Sequence, residues 1–359
     1  MINIGKRTGL KELFYRIKYV LGIARKKPKF LFRSLGIYLR VKLSSYLPPK
    51  YMDFAFDYTC NFACKGCFAE AFSHQKRPKM TLDDYKRVIQ EAHDIGCFYF
   101  NFQGGEPLHP NVIGKLEQLI NMSHPEQNMI SISTNAYFLD EKMAQRLKNL
   151  KVDHVIISLD SGIPEEHDKY RGVKGAFEHA KNGIDNCLKK GIRVSVNTVM
   201  SPNLLYSEGL TKLLDFCEKR NVSINAVFPT PTGRWEGNED IMLKQKDIEY
   251  FKEVRSKHPI LRRDEDGSLK RWGCGAGKEV LHITHFGDVL PCAFLHISYG
   301  NVIKEPLSVI HKRIKDTKTF GPNTWTTCWL ANETFAKQYV KTVCDNEKPV
   351  DYRKVKWLR

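Results

Sequence analysis

Cys60-Asn61-Phe62-Ala63-Cys64-Lys65-Gly66-Cys67 sets three thiols in a CxxxCxxC spacing. Thiolate is a soft ligand that suits iron–sulfur clusters, zinc or copper(I). Three thiolates leave one iron of a cubane cluster without a protein ligand, and an open metal position is where chemistry occurs. The same three could also be part of a structural zinc site whose fourth ligand lies elsewhere. The sequence around the octapeptide bears on the choice.

Working outward, Met52–Tyr58 reads as a strand that ends directly at Cys60. Downstream, strands and helices alternate. Thr81 with Asp84 reads as the N-cap and first-turn acid of a helix running to about Ile95. Phe98–Gln103 reads as a strand ending at Gly104-Gly105-Glu106-Pro107, followed by a helix over Val112–Met122. Met129–Ser133 is a strand ending at Thr134-Asn135, and Glu141–Leu150 a helix. Val155–Leu159 is a strand ending at Asp160, and Phe177–Lys190 a helix stopped by Gly191. Val194–Val199 is a strand containing Asn197, Ser207–Arg220 a helix, and Val222–Phe228 the sixth strand. Six such repeats imply a parallel sheet with right-handed crossovers. Polar residues and glycines cluster just after the strands, the end where parallel α/β folds build their sites.

Residues 230–271 read as a connector: Pro231, Gly233, Trp235 and Gly237 break regular structure before a charged helix. A second cysteine group follows, made of Cys274, Cys292 in Gly287-Asp288-Val289-Leu290-Pro291-Cys292, Cys328 and Cys344. Four thiolates would fill every iron of a second cubane or one tetrahedral zinc. Cys97, Cys187 and Cys217 are expected to be buried structural thiols, since free cysteine behaves as a small hydrophobe. His282 and His285, with no paired acid or ligand spacing in sequence, are also expected to be structural.

The chain of 359 residues is long enough for a large domain plus a smaller one. It is neither small nor cysteine-dense, as secreted disulfide proteins are. It shows no signal-peptide pattern and no uninterrupted apolar run of membrane-spanning length. A cytoplasmic protein with reduced thiols is expected. The net charge of +17 is uneven: residues 1–50 hold thirteen bases and one acid, Glu12, leaving only +5 for the remainder. Leu10, Leu13, Phe14, Ile17, Val20, Leu21 and Ala24 follow the spacing of one helical face. Arg25-Lys26-Lys27 and Pro28 end that helix, and a second basic and apolar stretch runs from Phe30 to Leu47. Such an arm, over residues 1–47, can lie on an anionic membrane surface, here the inner face. It could instead pack on the catalytic body, or draw RNA by charge alone, the least favoured of the three.

Taken together, CxxxCxxC, a strand ending in Gly104-Gly105-Glu106-Pro107, a strand ending in Ser133-Thr134-Asn135 and a strand ending in Asp160 resemble the radical S-adenosylmethionine superfamily over roughly residues 51–345. The fold class implied is α/β: a partial (β/α)6 TIM-like barrel with a small C-terminal auxiliary-cluster domain and an N-terminal basic amphipathic helical arm. Its parts are the arm (1–50), the core (51–229), the connector (230–271), the auxiliary region (272–345) and a tail (346–359).

The resemblance implies that Cys60, Cys64 and Cys67 bind a catalytic [4Fe-4S] cluster whose open iron takes S-adenosylmethionine. Gly104, Gly105, Glu106 and Pro107 match the segment that holds the methionine amino group, with Glu106 as acceptor. Ser133, Thr134 and Asn135 stand where ribose hydroxyls bind, and Ser158, Asp160 and Asn197 line the same pocket. Arg171 is placed to pair with the methionine carboxylate, for which a planar guanidinium is suited. The family carries an aromatic residue directly before the third cysteine, near the adenine. Here Gly66 stands there, and Phe68 is the expected substitute. Cys274, Gly287 and Cys292 resemble the opening of the SPASM/twitch extension; with Cys328 and Cys344 they imply a second, auxiliary [4Fe-4S] cluster.

The implied reaction is reductive cleavage of S-adenosylmethionine to a 5′-deoxyadenosyl radical that takes hydrogen from an unactivated carbon. Electrons would come from a low-potential donor of flavodoxin or ferredoxin type. The arm points to a membrane-associated, lipid or lipid-linked substrate. Peptide or protein side-chain maturation by the same chemistry is the alternative, and a non-catalytic zinc- and nucleic-acid-binding protein is the alternative of another class.

Overall fold

Alternating apolar residues build the sheet. In β1 (Tyr51–Asp57), Met52, Phe54 and Phe56 are fully buried and pack under helices, while Asp53 points to the opposite, inner face. The same alternation shapes β2 (Tyr99–Gly104), β3 (Met129–Thr134), β4 (His154–Ser158), β5 (Arg193–Val199) and β6 (Ser223–Val227). The computed structural model describes residues 27–43, 47–263, 273–320, 328–344 and 346–358. Predicted helix 10–24 lies outside them.

Among the described residues the longer helices are α1 (Pro28–Leu43), α2 (Leu82–Asp94), α3 (Ile113–Met122), α4 (Glu141–Asn149), α5 (Pro164–Arg171), α6 (Ala176–Lys189), α7 (Glu208–Lys219), α8 (Gln245–Lys257), α9 (Leu307–Lys315) and α10 (Glu333–Val343). Thr81 caps α2 in a reciprocal capping box with Asp84, and Ser207 caps α7.

Three further strands join the six. They are β7 (Leu261–Arg263), β8 (Val280–Ile283) and β9 (Val289–Leu290), giving the order β7-β6-β5-β4-β3-β2-β1-β8-β9. All pairings in this sheet are parallel except β8 with β9. This is the α/β partial barrel the sequence implies. The C-terminal region adds β8 directly beside β1, with Tyr51 opposite Val280 and Asp53 opposite His282. The tail also takes part: β11 (Val350–Asp351) pairs with β10 (Ile297–Ser298), and Val355 and Leu358 are fully buried.

The inner face is polar. Asp53 lies opposite Asn101, and Asn101 opposite Ser131. Asn101 Nδ2 donates to Asp53 Oδ1 at 2.7 Å, and Ser131 Oγ donates to Asn101 Oδ1 at 2.7 Å. Hydrogen bonding inside the sheet keeps these buried groups from being stranded. Cys97, Cys187 and Cys217 are fully buried, as expected for structural thiols. Among the described residues no helix is long and apolar enough to cross a membrane.

Candidate active site

The cysteine loop begins where β1 ends, and two glycines at the end of β2 seat it. Gly105 N–H donates to Asp57 O at 2.8 Å, and Glu106 N–H donates to Thr59 O at 2.7 Å. A Cβ at Gly104 would fall 2.0 Å from Asp57 O, and one at Gly105 would fall 2.1 Å from Thr59 O. Gly104 also has φ +140°, a conformation that side chains resist. The close approach these glycines allow is therefore to the backbone entering the loop.

Glu106 is 1% exposed. Its Oε1 accepts from Thr134 Oγ1 at 2.5 Å and from Leu108 N–H at 2.9 Å, and its Oε2 accepts from Asn135 N–H at 2.7 Å. Burial pushes its carboxyl up to about 7, against the pull of these three donors. Glu106 thus has a structural part beside the expected one. It ties the end of β2 to the end of β3, and of about four acceptor positions on a carboxylate roughly one, on Oε2, is left. Asn135 then reaches the cysteine loop, Nδ2 donating to Asn61 Oδ1 at 3.0 Å.

Asp160 and Arg171 meet on the other side of the loop. Arg171 Nε donates to Asp160 Oδ2 at 2.7 Å, and Nη1 lies 3.7 Å from Cys64 Sγ. Burial opposes the guanidinium's charge, but Asp160 and Cys64 outweigh it and hold the charge firmly. Arg171 ends α5, a helix absent from the sequence reading, and Gly172 follows at φ +74°. Ser158 and Asn197 face each other across β4 and β5. Asn197 Oδ1 accepts from Asn225, and Ser133 Oγ hydrogen-bonds Asn101 on the inner face. Pro107 is buried beside Glu106.

Cys60, Cys64, Cys67, Cys97, Cys187 and Cys217 are free thiols. Burial pushes Cys60 up to about 12 and raises Cys67, and the neighbouring thiols add to both. Cys60 and Cys67 hold their protons until a metal displaces them. Among the described residues, no three His, Cys, Asp or Glu side chains converge on a point suited to one metal ion. A cubane engages each thiolate at a separate iron. Three reduced thiols on one loop, with a fixed cation beside Cys64, fit that group by donor chemistry.

The sequence reading missed the strap over this loop. Arg234, in the turn Gly233–Trp235, donates its N–H to Cys67 O at 3.0 Å. Its guanidinium reaches Ala63 O at 3.0 Å and Glu70 at 3.1 Å. Gly233 adopts φ +61°, and a Cβ there would lie 2.1 Å from Cys67 O. At Gly66, a Cβ would meet Tyr170 OH at 2.5 Å and the Trp235 ring at 2.7 Å. Tyr170 and Trp235 thus crowd the space beside Gly66. Phe68 points elsewhere, edge-on to Phe294 at 5.2 Å and near His282 at 6.5 Å. The only advance signal was the cluster of Gly233 and Trp235 in the connector.

His282 differs from its reading in sequence in one respect. It has a paired acid, contributed by another strand: Nδ1 lies 2.8 Å from Asp53 Oδ2. The ring is 1% exposed, and its Nε2 has no hydrogen-bond partner. His285 likewise sits by Tyr85 OH at 3.2 Å and Asp57 at 3.8 Å.

The second cysteine group is spread over the C-terminal region. Cys274 precedes β8, Cys292 follows β9, Cys328 opens the turn Trp329–Ala331 and Cys344 caps α10. Burial raises the Tyr339 phenol, and Cys344 and Cys292 add to that rise.

Comparison with known proteins gives a family match and several relatives. The model for the radical SAM superfamily matches residues 56–214. The AdoMet-dependent heme synthase of Nitratidesulfovibrio vulgaris is 28% identical over 293 residues, which is 73% of this chain and 78% of that protein. The antilisterial bacteriocin subtilosin biosynthesis protein AlbA of Bacillus subtilis is 25% identical over 288 residues, 74% of this chain and 61% of that one. Among solved structures, anSMEcpe with bound AdoMet superposes with a TM-score of 0.58 at 20% identity, covering 80% of this chain and 83% of that one. At that identity the superposition attests the fold.

Proposed function

The chain belongs to the radical SAM superfamily and is an enzyme, and from that premise we propose that it takes hydrogen from an unactivated carbon of a membrane-associated, lipid or lipid-linked substrate. Family membership sets aside the non-catalytic zinc and nucleic-acid reading. One observation carries the assignment of the site. Glu106 with Asn135 and Asp160 with Arg171 form two bonded pairs, drawn from four places in the chain, and the first reaches the cysteine loop at Asn61 and the second at Cys64.

In this reading Cys60, Cys64 and Cys67 hold the catalytic [4Fe-4S] cluster. When bound, the cluster and S-adenosylmethionine supply the electron and the deoxyadenosyl radical for hydrogen abstraction, fed by a flavodoxin- or ferredoxin-type donor. The chain's own residues bind and orient. Gly104, Gly105 and Pro107 shape the seat, and the remaining acceptor position on Glu106 takes an ammonium proton. Ser133, Thr134, Asn135, Ser158 and Asn197 serve the sugar, and Arg171, held by Asp160, meets a carboxylate. Tyr170 and Trp235 exclude water beside Gly66. Cys274, Cys292, Cys328 and Cys344 hold an auxiliary cluster.

The basic apolar arm supports the lipid reading of the substrate. A second reading, modification of a peptide side chain or a tetrapyrrole, is favoured by the likeness to AlbA and the heme synthase. The test is anaerobic reconstitution with S-adenosylmethionine and a reductant. 5′-Deoxyadenosine is then compared with and without a total lipid extract, and with and without a peptide fraction. Stimulation by lipid alone supports the first reading, and stimulation by peptide alone replaces it with the second. No 5′-deoxyadenosine under any condition would overturn the assignment of the site.

A further inference from the structure

Helix α1 is fastened along one face. Phe30 packs on Phe98 at 6.3 Å, and Lys27 pairs with Asp153 at 2.5 Å. Arg33 reaches Asn128 Oδ1 at 2.9 Å and His93 O at 2.5 Å. The other face is apolar and open: Phe32 is 75% exposed, Leu35 53%, Leu39 48% and Leu43 84%. Spacings of three and four residues put these four on one stripe, and at 3.6 residues per turn Lys29 and Arg40 lie about 60–80° to one side of Phe32. An apolar groove of ≈ 300 Å³ opens beside the stripe, between α1 and Phe98. A contiguous patch of large exposed apolar side chains marks an interaction surface.

We propose that this stripe is an anchor seated in an anionic lipid leaflet. Charge selects the occupant. α1 contains no acid, and residues 1–50 carry thirteen bases against one acid, so a second copy of the same face would be repelled. A leaflet offers acyl chains to the stripe and phosphates to Lys29 beside it. The inference refines the membrane reading above and also limits it. Phe98, Asn128 and Asp153, which hold α1, each immediately precede a strand, β2, β3 and β4. α1 therefore covers the end of the barrel opposite the cysteine loop. A strand of six residues spans about 20 Å, so a bilayer seated on the stripe lies a barrel's depth from the cofactor pocket. The anchor fixes where the enzyme works and does not itself feed an embedded chain to the loop.

The experiment is flotation of the full reconstituted chain with phosphatidylcholine vesicles, with and without about 30% phosphatidylglycerol as the anionic lipid. The wild type is expected to float with the anionic vesicles only. F32S/L35S/L39S/L43S is expected to bind at least tenfold more weakly, with unchanged circular dichroism and basal S-adenosylmethionine cleavage. In a second measurement, F32W fluorescence shifts blue on adding anionic vesicles. Flotation of the quadruple variant like the wild type, or an F32W emission that does not move, overturns the stripe as the anchor and leaves the lipid-substrate reading standing. A wild type that stays in solution overturns the anchor outright, while the 5′-deoxyadenosine assay above still decides the substrate. A dimer that the quadruple variant breaks would assign the stripe to a second copy.

Discussion

A methyl group at position 105 has nowhere to go. It would sit 2.1 Å from Thr59 O and 2.7 Å from Tyr58 C, both backbone atoms of the segment that delivers Cys60. Gly105→Ala should therefore displace the cysteine loop from the end of β2. The expected cost is roughly 1–3 kcal/mol in urea unfolding, the range for a forced backbone shift. Reconstituted iron should fall with it, and unchanged iron and stability would refute the seat. Glu106 makes a separate prediction through pH. Its carboxyl rises from 4.5 to about 7 on folding. The folded chain thus holds that proton more tightly than the unfolded chain. This stabilisation is full below pH 4.5 and is lost as pH rises through about 7. Buried His154 and His311, held down to about 3, act in the opposite sense below pH 6.5. The contribution of Glu106 is isolated by subtraction. Relative to Glu106→Gln, the wild type should lose about 2–3 kcal/mol between pH 5 and pH 8, at about 1.4 kcal/mol per pH unit over the titrating range. Parallel curves for the two proteins would show that Glu106 does not titrate as described.

At the scale of elements, the sequence was legible wherever the determinant was local. Thr81 and Asp84 announced the start of α2, and alternation announced β1 to β6 to within a residue or so at each end. What could not be read was contact made at long range. Nothing in Val280–Ile283 says that it will lie beside Tyr51–Phe54, more than two hundred residues earlier. Nothing at Gly66 says that Trp235 will crowd against it. The connector reads as irregular chain, yet its turn Gly233–Trp235 is bonded through Arg234 to the loop at two points and to Glu70 just beyond it. Arg234→Ala should leave the melting temperature within a few degrees, since half-exposed ion pairs contribute little. It should nevertheless loosen the cysteine loop, so that iron is lost severalfold faster to a chelator at equal protein stability. Equal rates of iron loss would mean that the turn rests on the loop without holding it.

At the scale of the whole molecule, the two cysteine groups are linked by a seam of contacts between the segments beside Cys67 and Cys292. Asp53 of β1 bonds His282 of β8, and Phe68, next to Cys67, meets Phe294, two residues after Cys292. The polypeptide that follows the first cysteines is thus packed against the polypeptide that follows the second. If both groups carry cubanes, each holds four irons. The wild type should then reconstitute to about eight irons and eight sulfides per chain, and Cys60/Cys64/Cys67→Ala should keep about four. The complementary variant, Cys274/Cys292→Ala, should also keep about four and still yield 5′-deoxyadenosine, because the open iron belongs to the first loop. The pair of variants separates the readings that one alone would leave mixed. About four irons in the wild type and none in the triple variant would leave the C-terminal thiols without a cluster. An outlet for an electron from a substrate radical would then have to be sought elsewhere on the seam. Loss of all iron in both variants would mean that neither loop folds around its metal without the other, as the Asp53–His282 and Phe68–Phe294 contacts would allow.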